Sequence, residues 1–151
     1  MNDQLNVPLK VLSPDAVVPQ NAYHGDAGVD LCSTEDVELR PFERKLISTG
    51  LALAIPFGYG GFILPRSGTA IKQGLSLANT PGLIDSNYRG EIKIAAINLD
   101  AKNSIQIKAG DRIAQLVIMK VESPAFAVVD ELDDTVRGAG GFGSSGVSTS
   151  K

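Results

Sequence analysis

Hydrophobic positions along this chain recur mostly at every second residue. Residues 7–11 alternate, as do Ile105-Gln106-Ile107. Residues 91–94 alternate too, before Ala95-Ala96-Ile97-Asn98-Leu99 shifts phase. A shift of that kind predicts a bulge or a strand that changes sheets. Further strands are expected over 27–33, 45–48, 51–55, 61–64, 75–78, 112–120 and 125–130. Turn residues punctuate them at short spacing: Pro41, Pro56-Phe57-Gly58, Gly74, Pro81-Gly82 and Ala109-Gly110. Many short strands so divided predict an all-β sandwich or barrel. One stretch, 67–73, fits a short helix, with Ser67 as N-cap and Gly74 as terminator. Turn residues on both sides of Leu83-Ile84 suggest a β-hairpin.

Composition narrows the picture. The 151 residues fit one domain, and apolar residues make up 43% of them. Tryptophan is absent and aromatics are 5%, so the core must be built from Val, Ile, Leu and Ala. The net charge of −3 comes without any run of Lys or Arg, so no nucleic-acid partner is expected. Any phosphate recognition must use a few placed cations and backbone N–H groups. Cys32 stands alone, which excludes an intrachain disulfide and a multi-cysteine zinc site. His24 also stands alone, which leaves carboxylates as proton handlers. The N-terminal residues lack the pattern of a signal peptide, and no apolar run is long enough to span a membrane. A soluble cytoplasmic protein is the expectation.

Several segments carry candidate chemistry. The tail, residues 136–151, is rich in Gly and Ser and cannot bury enough apolar surface to order itself. Arg137 and Phe142 within it are not linker residues. A guanidinium fits phosphate, an aromatic ring stacks on a base, and glycines let N–H groups approach an anion. The strip reads as a lid over a nucleotide. In Leu64-Pro65-Arg66-Ser67-Gly68 an arginine precedes a helix start, either as an anion site where free N–H groups receive the charge or as an ordinary N-capped turn with a solvated arginine. In the segment 79–90, Asn79 offers an amide suited to a pyrimidine edge. Asp85 follows two apolar residues, either as a general base at a pocket wall or as turn chemistry. Tyr88 is placed to pack on a sugar. Asp30 and Gln115 interrupt apolar strands and need polar partners or a role near a hydrated metal. Asp111 reads as a structural partner for a nearby arginine. Phe42, Phe57, Tyr59, Phe62, Phe126, His24 and Cys32 read as packing residues.

Taken in order, these segments resemble the five motifs of the trimeric dUTPase family. They are Ala27-Gly28-Val29-Asp30-Leu31, Pro65-Arg66-Ser67-Gly68, residues 82–90, Asp111-Arg112-Ile113-Ala114-Gln115-Leu116, and residues 137–146. Thr69 replaces a common leucine and Ala139 a frequent polar residue, neither near the expected chemistry. The resemblance implies a jelly-roll-like β barrel with one short helix over residues 1–135, a flexible Gly-rich C-terminal arm over 136–151, and a homotrimer with shared active sites. It implies Mg²⁺-dependent hydrolysis of dUTP to dUMP and pyrophosphate, which keeps uracil out of DNA and supplies dUMP for thymidylate synthesis. Arg66, Ser67, Gly68, Gln115 and Arg137 are then phosphate contacts. Asp30 and Gln115 hold metal-bound waters, with no direct protein ligand to the ion. Asp85 is the general base for attack on the α-phosphorus. Asn79, Leu83 and Ile84 read uracil, Tyr88 selects deoxyribose, and Lys93 lines the pocket. Phe142, Gly143 and Ser144 arrive with the arm. Two alternatives accompany this reading. One is a dCTP deaminase-like homologue, which needs a catalytic glutamate at the pyrimidine. The other is a nucleotide sensor without turnover.

Overall fold

The computed structural model describes residues 5–146 and Ser148. The first four residues, part of the stretch read for a leader, and residues 147 and 149–151 of the arm lie outside them. Eleven strands and one helix are formed among the described residues: β1 (Leu9–Val11), β2 (Val29–Cys32), β3 (Val37–Leu39), β4 (Arg44–Ser48), β5 (Leu51–Leu53), β6 (Tyr59–Leu64), α1 (Ser67–Gln73), β7 (Leu75–Leu77), β8 (Gly82–Ile84), β9 (Lys93–Asn98), β10 (Ile105–Ile107) and β11 (Arg112–Lys120). Every pairing is antiparallel. A four-stranded sheet runs β2-β11-β6-β8, a three-stranded sheet runs β4-β9-β7, and two ribbons pair β1 with β5 and β3 with β10. The whole is a jelly-roll-like all-β barrel with one short helix, as the spacing of short strands leads one to expect.

The core is aliphatic throughout. Leu31, Leu39, Ile47, Leu51, Ile92 and Ile94 are essentially inaccessible to solvent. Each such side chain contributes roughly 1.5–3 kcal/mol by leaving water. None of the phenylalanines or tyrosines is fully buried, and Phe42, Phe57 and Phe126 are mostly exposed. Asn98 is one of three buried polar residues, with Ser33 and Thr49. Its amide donates to the carbonyls of Leu39 at 3.0 Å and Asn103 at 2.8 Å, and its oxygen accepts from the Asp100 N–H at 2.8 Å. A buried amide so satisfied avoids the desolvation penalty of an unpaired one.

Asn98 also explains a misread strand. Neither the bulge nor the change of sheets expected over residues 95–99 occurs: β9 stays within one sheet and pairs with β4 without a break from Lys93↔Ser48 to Ile97↔Arg44. Ile94, Ala96 and Asn98 all face inward, so the inward series ends on a polar residue and only its hydrophobicity changes phase. The irregularity lies instead in β11, where register against β2 shifts between Arg112 and Ala114. Strand β3 was not anticipated, because its three residues sit among the acidic Asp36 and Glu38. The expected strand over 125–130 does not form. Phe126 and Val128 are almost fully exposed, and the segment pairs with nothing among the described residues. Alternation shows that a segment is fit to be covered, and this protomer supplies no strand to cover it.

The hairpin around Leu83-Ile84 is also overturned. β8 pairs with β6, Gly61↔Ile84 to Ile63↔Gly82, and the chain then crosses to β9 in another sheet. Residues 85–92 are thus a crossover between sheets. At the helix, Arg66 rather than Ser67 is the N-cap, with extended backbone at ψ 130° and no side-chain cap bond. Its guanidinium is engaged elsewhere. Gly74 ends the helix as expected, in the left-handed region at φ 73°.

Candidate active site

The four-stranded sheet gathers several of the candidate residues. Gln115 stands opposite both Asp30 on β2 and Leu64 on β6, so a single rung spans three strands. The Gln115 amide donates to the carbonyl of Pro65 at 2.8 Å, which fixes its orientation and leaves its oxygen free to accept. Gly28 makes room for it: a β-carbon there would lie 3.3 Å from Gln115 Oε1 and 3.2 Å from the Leu116 carbonyl oxygen. Across the rung, Arg66 Nε donates to Asp30 Oδ1 at 2.7 Å and its Nη2 to Oδ2 at 3.4 Å. Both side chains are roughly one-third exposed. This pairing answers the demand for a partner that a carboxylate in an apolar strand makes.

Asp30, Arg66, Ser67, Gly68 and Gln115 line one cleft of about 440 Å³. A β-carbon at Gly68 would meet no protein atom within 4 Å, so the space before it is open. Tyr23 and Asp26 close the rim. The Asp26 carboxylate accepts the Tyr23 N–H at 2.8 Å, and this local turn presents the Tyr23 ring at the cleft mouth. Beneath the cleft, burial pushes the Cys32 thiol above its ordinary pKa, against a smaller lowering by Arg112, so it stays protonated at neutral pH. The arginine partner expected for Asp111 is not found among the described residues: its carboxylate accepts the Lys108 N–H at 2.8 Å and closes a turn.

A second cleft, of about 550 Å³, is lined by Leu83, Ile84, Asp85, Tyr88, Glu91 and Lys93, with Leu46. Asp85 is solvent-exposed at its wall. The Tyr88 hydroxyl donates to the Glu91 carbonyl at 2.9 Å. The Glu91 carboxylate accepts the Gly50 N–H at 3.0 Å and lies 3.6 Å from Lys93 Nζ. Asn79 sits at the other end of β8, its amide packed near Gly82. None of the described residues of the arm lines either cleft. Arg137 Nε donates to its own loop at the Gly140 carbonyl, 2.8 Å away, and Phe142 is fully exposed at φ 46°. Gly143 and Ser144 continue the exposed strip. The structure thus gathers five of the candidate residues in one cleft and five in another, and leaves Asn79 and the arm apart.

A family model described as dUTPase matches residues 15–146. The chain belongs to the dUTPase family. Among its dUTPase relatives, the deoxyuridine 5'-triphosphate nucleotidohydrolase of Rhodococcus erythropolis is 58% identical over 146 residues, covering 97% of this chain and 89% of the relative. That of Nocardia farcinica is 56% identical over 140 residues, covering 93% and 85%. Among solved dUTPase structures, a variant from staphylococcal bacteriophage 80alpha with dUpNHpp superposes at a TM-score of 0.89, with 33% identity over 95% of this chain and all of that one. A phage phi11 dUTPase variant, which coordinates a structural Mg(II) ion, superposes at 0.78 with 30% identity over 84% and 98%. Against this dUTPase frame, Tyr23, Asp26, Glu91 and Arg112 are cleft residues that the sequence pattern did not single out. Each is held by backbone or bulge geometry that periodicity does not display.

Proposed function

We propose that this chain hydrolyses dUTP to dUMP and pyrophosphate at a site assembled from both clefts, each given by a different copy in a homotrimer. One observation carries the reading. The phosphate-type residues Asp30, Arg66, Ser67, Gly68 and Gln115 and the nucleoside-type residues Leu83, Ile84, Asp85, Tyr88 and Lys93 line clefts that share no residue. A nucleotide needing both sets is served by bringing the two clefts of neighbouring copies together. The uncovered apolar segment at 125–130 and the largely exposed residues 136–146 suit the same assembly, since both await a surface that one protomer lacks.

In this site the anionic substrate meets Arg66, Ser67 and the open N–H surface at Gly68, with Gln115 behind them. Asp85 takes a proton from a water that attacks the α-phosphorus in line, and pyrophosphate leaves. Tyr88 packs on the deoxyribose and excludes a 2′-hydroxyl. Asn79 and the β8 backbone around Leu83 and Ile84 read the uracil edge. A mismatched buried edge is penalised by as much as about 10⁴–10⁵ in selectivity. Arg137, Phe142, Gly143 and Ser144 close over the nucleotide with the arm. Removing dUTP and supplying dUMP is a nucleotide-pool task that suits a cytoplasmic protein, and no helix among the described residues is long and apolar enough to cross a membrane.

The donor set fits Mg²⁺ in one way. No cluster of three metal-ligating side chains occurs among the described residues. The Asp30 carboxylate and the Gln115 oxygen form one rung of two acceptors, which suits an ion that brings waters and phosphate oxygens with it. Bound so, Mg²⁺ would neutralise and orient the triphosphate. The chain's own part is to hold the waters around it through Asp30 and Gln115.

A deaminase would need a free glutamate at the pyrimidine. Glu91 lines that cleft, but its carboxylate is occupied by the Gly50 N–H and Lys93. Pyrophosphate release from dUTP, UTP, dCTP and dTTP with Mg²⁺ tests the reading, with release expected from dUTP alone. Ammonia from dCTP, or bound dUTP without turnover, would overturn it. Sharing between copies has its own test. Asp30→Asn and Asp85→Asn, each inactive alone, should regain activity when mixed and reassembled. No recovery would place the whole site in one protomer.

A further inference from the structure

Strand β11 meets β2 with one residue too many. Gln115 pairs with Asp30 and Ala114 with Leu31, yet Arg112 pairs with Cys32, so Ile113 is extra. Its side chain enters the core at 3% exposure. In an unbroken strand, positions 112 and 115 would face opposite sides of the sheet. The bulge cancels that and brings Arg112 to the face of Gln115 and Asp30. Bulges beside active sites commonly re-aim a side chain in this manner.

The re-aimed guanidinium has a specific neighbour. Arg112 Nε lies 3.6 Å from Asp30 Oδ2, the oxygen that Arg66 holds at 3.4 Å rather than 2.7 Å. Among the described residues Arg112 makes no other ion pair or side-chain hydrogen bond, and its side chain is 61% exposed. One carboxylate therefore has two arginines. Arg66 holds Oδ1 tightly and Oδ2 weakly, and Arg112 stands in second position on the looser oxygen. Both line the same cleft with Ser67 and Gly68.

We infer that Arg112 is a positioning residue that keeps Asp30 paired when Arg66 turns its fork to an arriving polyphosphate. The inference rests on the phosphate role proposed for Arg66. A part-buried carboxylate that loses its only cation is penalised, because the remaining charge stays desolvated and unpaired. Arg112 removes that penalty. Arg66 is then free to change partners without loss of Asp30's orientation.

A double-mutant cycle tests it, using Arg112→Gln, Asp30→Asn and the pair together. Binding of inorganic tripolyphosphate is read by calorimetry, and dUTP turnover by steady-state kinetics. Arg112→Gln should weaken tripolyphosphate binding and raise KM for dUTP by about tenfold, with kcat moved much less. In the Asp30→Asn background the same substitution should change binding less than about twofold. Arg112→Lys, which keeps the charge, should recover most of the loss. The inference is overturned if Arg112→Gln binds and turns over like the parent. It is equally overturned if its full effect persists without Asp30, which would make Arg112 a direct phosphate contact. Failure of the parent to hydrolyse dUTP would count against the proposed function instead. The tripolyphosphate cycle still reads the Arg112–Asp30 coupling in that case.

Discussion

The ring of Tyr88 occupies the space that a side chain at Gly90 would need. A β-carbon at position 90 would lie 2.7 Å from Tyr88 Cζ, too close for either to stay. The glycine, with the bond from Tyr88 to the Glu91 carbonyl, sets the ring against the wall of the Asp85 cleft. Gly90→Ala should displace the ring and lower kcat/KM for dUTP by about ten- to hundredfold. It should also narrow the preference for dUTP over UTP. Kinetics with both nucleotides decide it: an unchanged ratio means that the ring does not select the sugar.

Asp85 is exposed at the cleft wall and follows the last residue of β8. A general base at this position, as proposed, would contribute about 10²–10⁴ to turnover. Asp85→Asn should lose that factor in kcat and keep its melting temperature, since no core contact depends on it. Turnover close to that of the parent would remove Asp85 from the mechanism.

Among the described residues beyond Thr135 no strand or helix forms, and Val136 and Phe142 are fully exposed. A chain truncated after Thr135 should fold, melt and assemble like the full chain, yet hydrolyse dUTP very slowly. Sedimentation and a thermal melt check the first part, and pyrophosphate release the second. Full activity of the truncated chain would end the lid assignment.

Acid should loosen the turn between β10 and β11. The Ala109 N–H, and then Lys108, hold the Asp36 carboxyl below its usual pKa. Such a group stabilises the fold above its unfolded value, about 3.9, and loses that contribution as pH falls through the lower folded value. Melting temperature measured from pH 5 downward should therefore fall more steeply for the parent than for Asp36→Asn. Parallel curves would show that the contact adds nothing.

The sequence displayed the strand-rich architecture because period-two alternation reflects which face is covered. It misplaced the irregularity because Asn98 is polar and yet buried, and no pattern of hydrophobicity reports that. Asp30, Arg66 and Gln115 were recognisable singly, as polar groups in apolar surroundings. Their meeting on one rung depends on β2, β6 and β11 being neighbours, a long-range fact. Arg112 was hidden because its orientation comes from an inserted residue, so counting along the strand assigns it to the wrong face. The segment 125–130 has a strand's composition without a strand's partner, and a single chain cannot express that difference.

An aliphatic core with no tryptophan has an optical consequence. The near-ultraviolet signal of this protein must come mainly from three tyrosines. Tyr23 sits at the mouth of the Asp30 cleft, Tyr88 lines the Asp85 cleft, and only Tyr59 belongs to the barrel wall. The molecule therefore carries unlabelled reporters at both clefts and almost none in its interior. Tyrosine emission will follow occupancy of the clefts, whereas unfolding of the core is better followed by backbone circular dichroism.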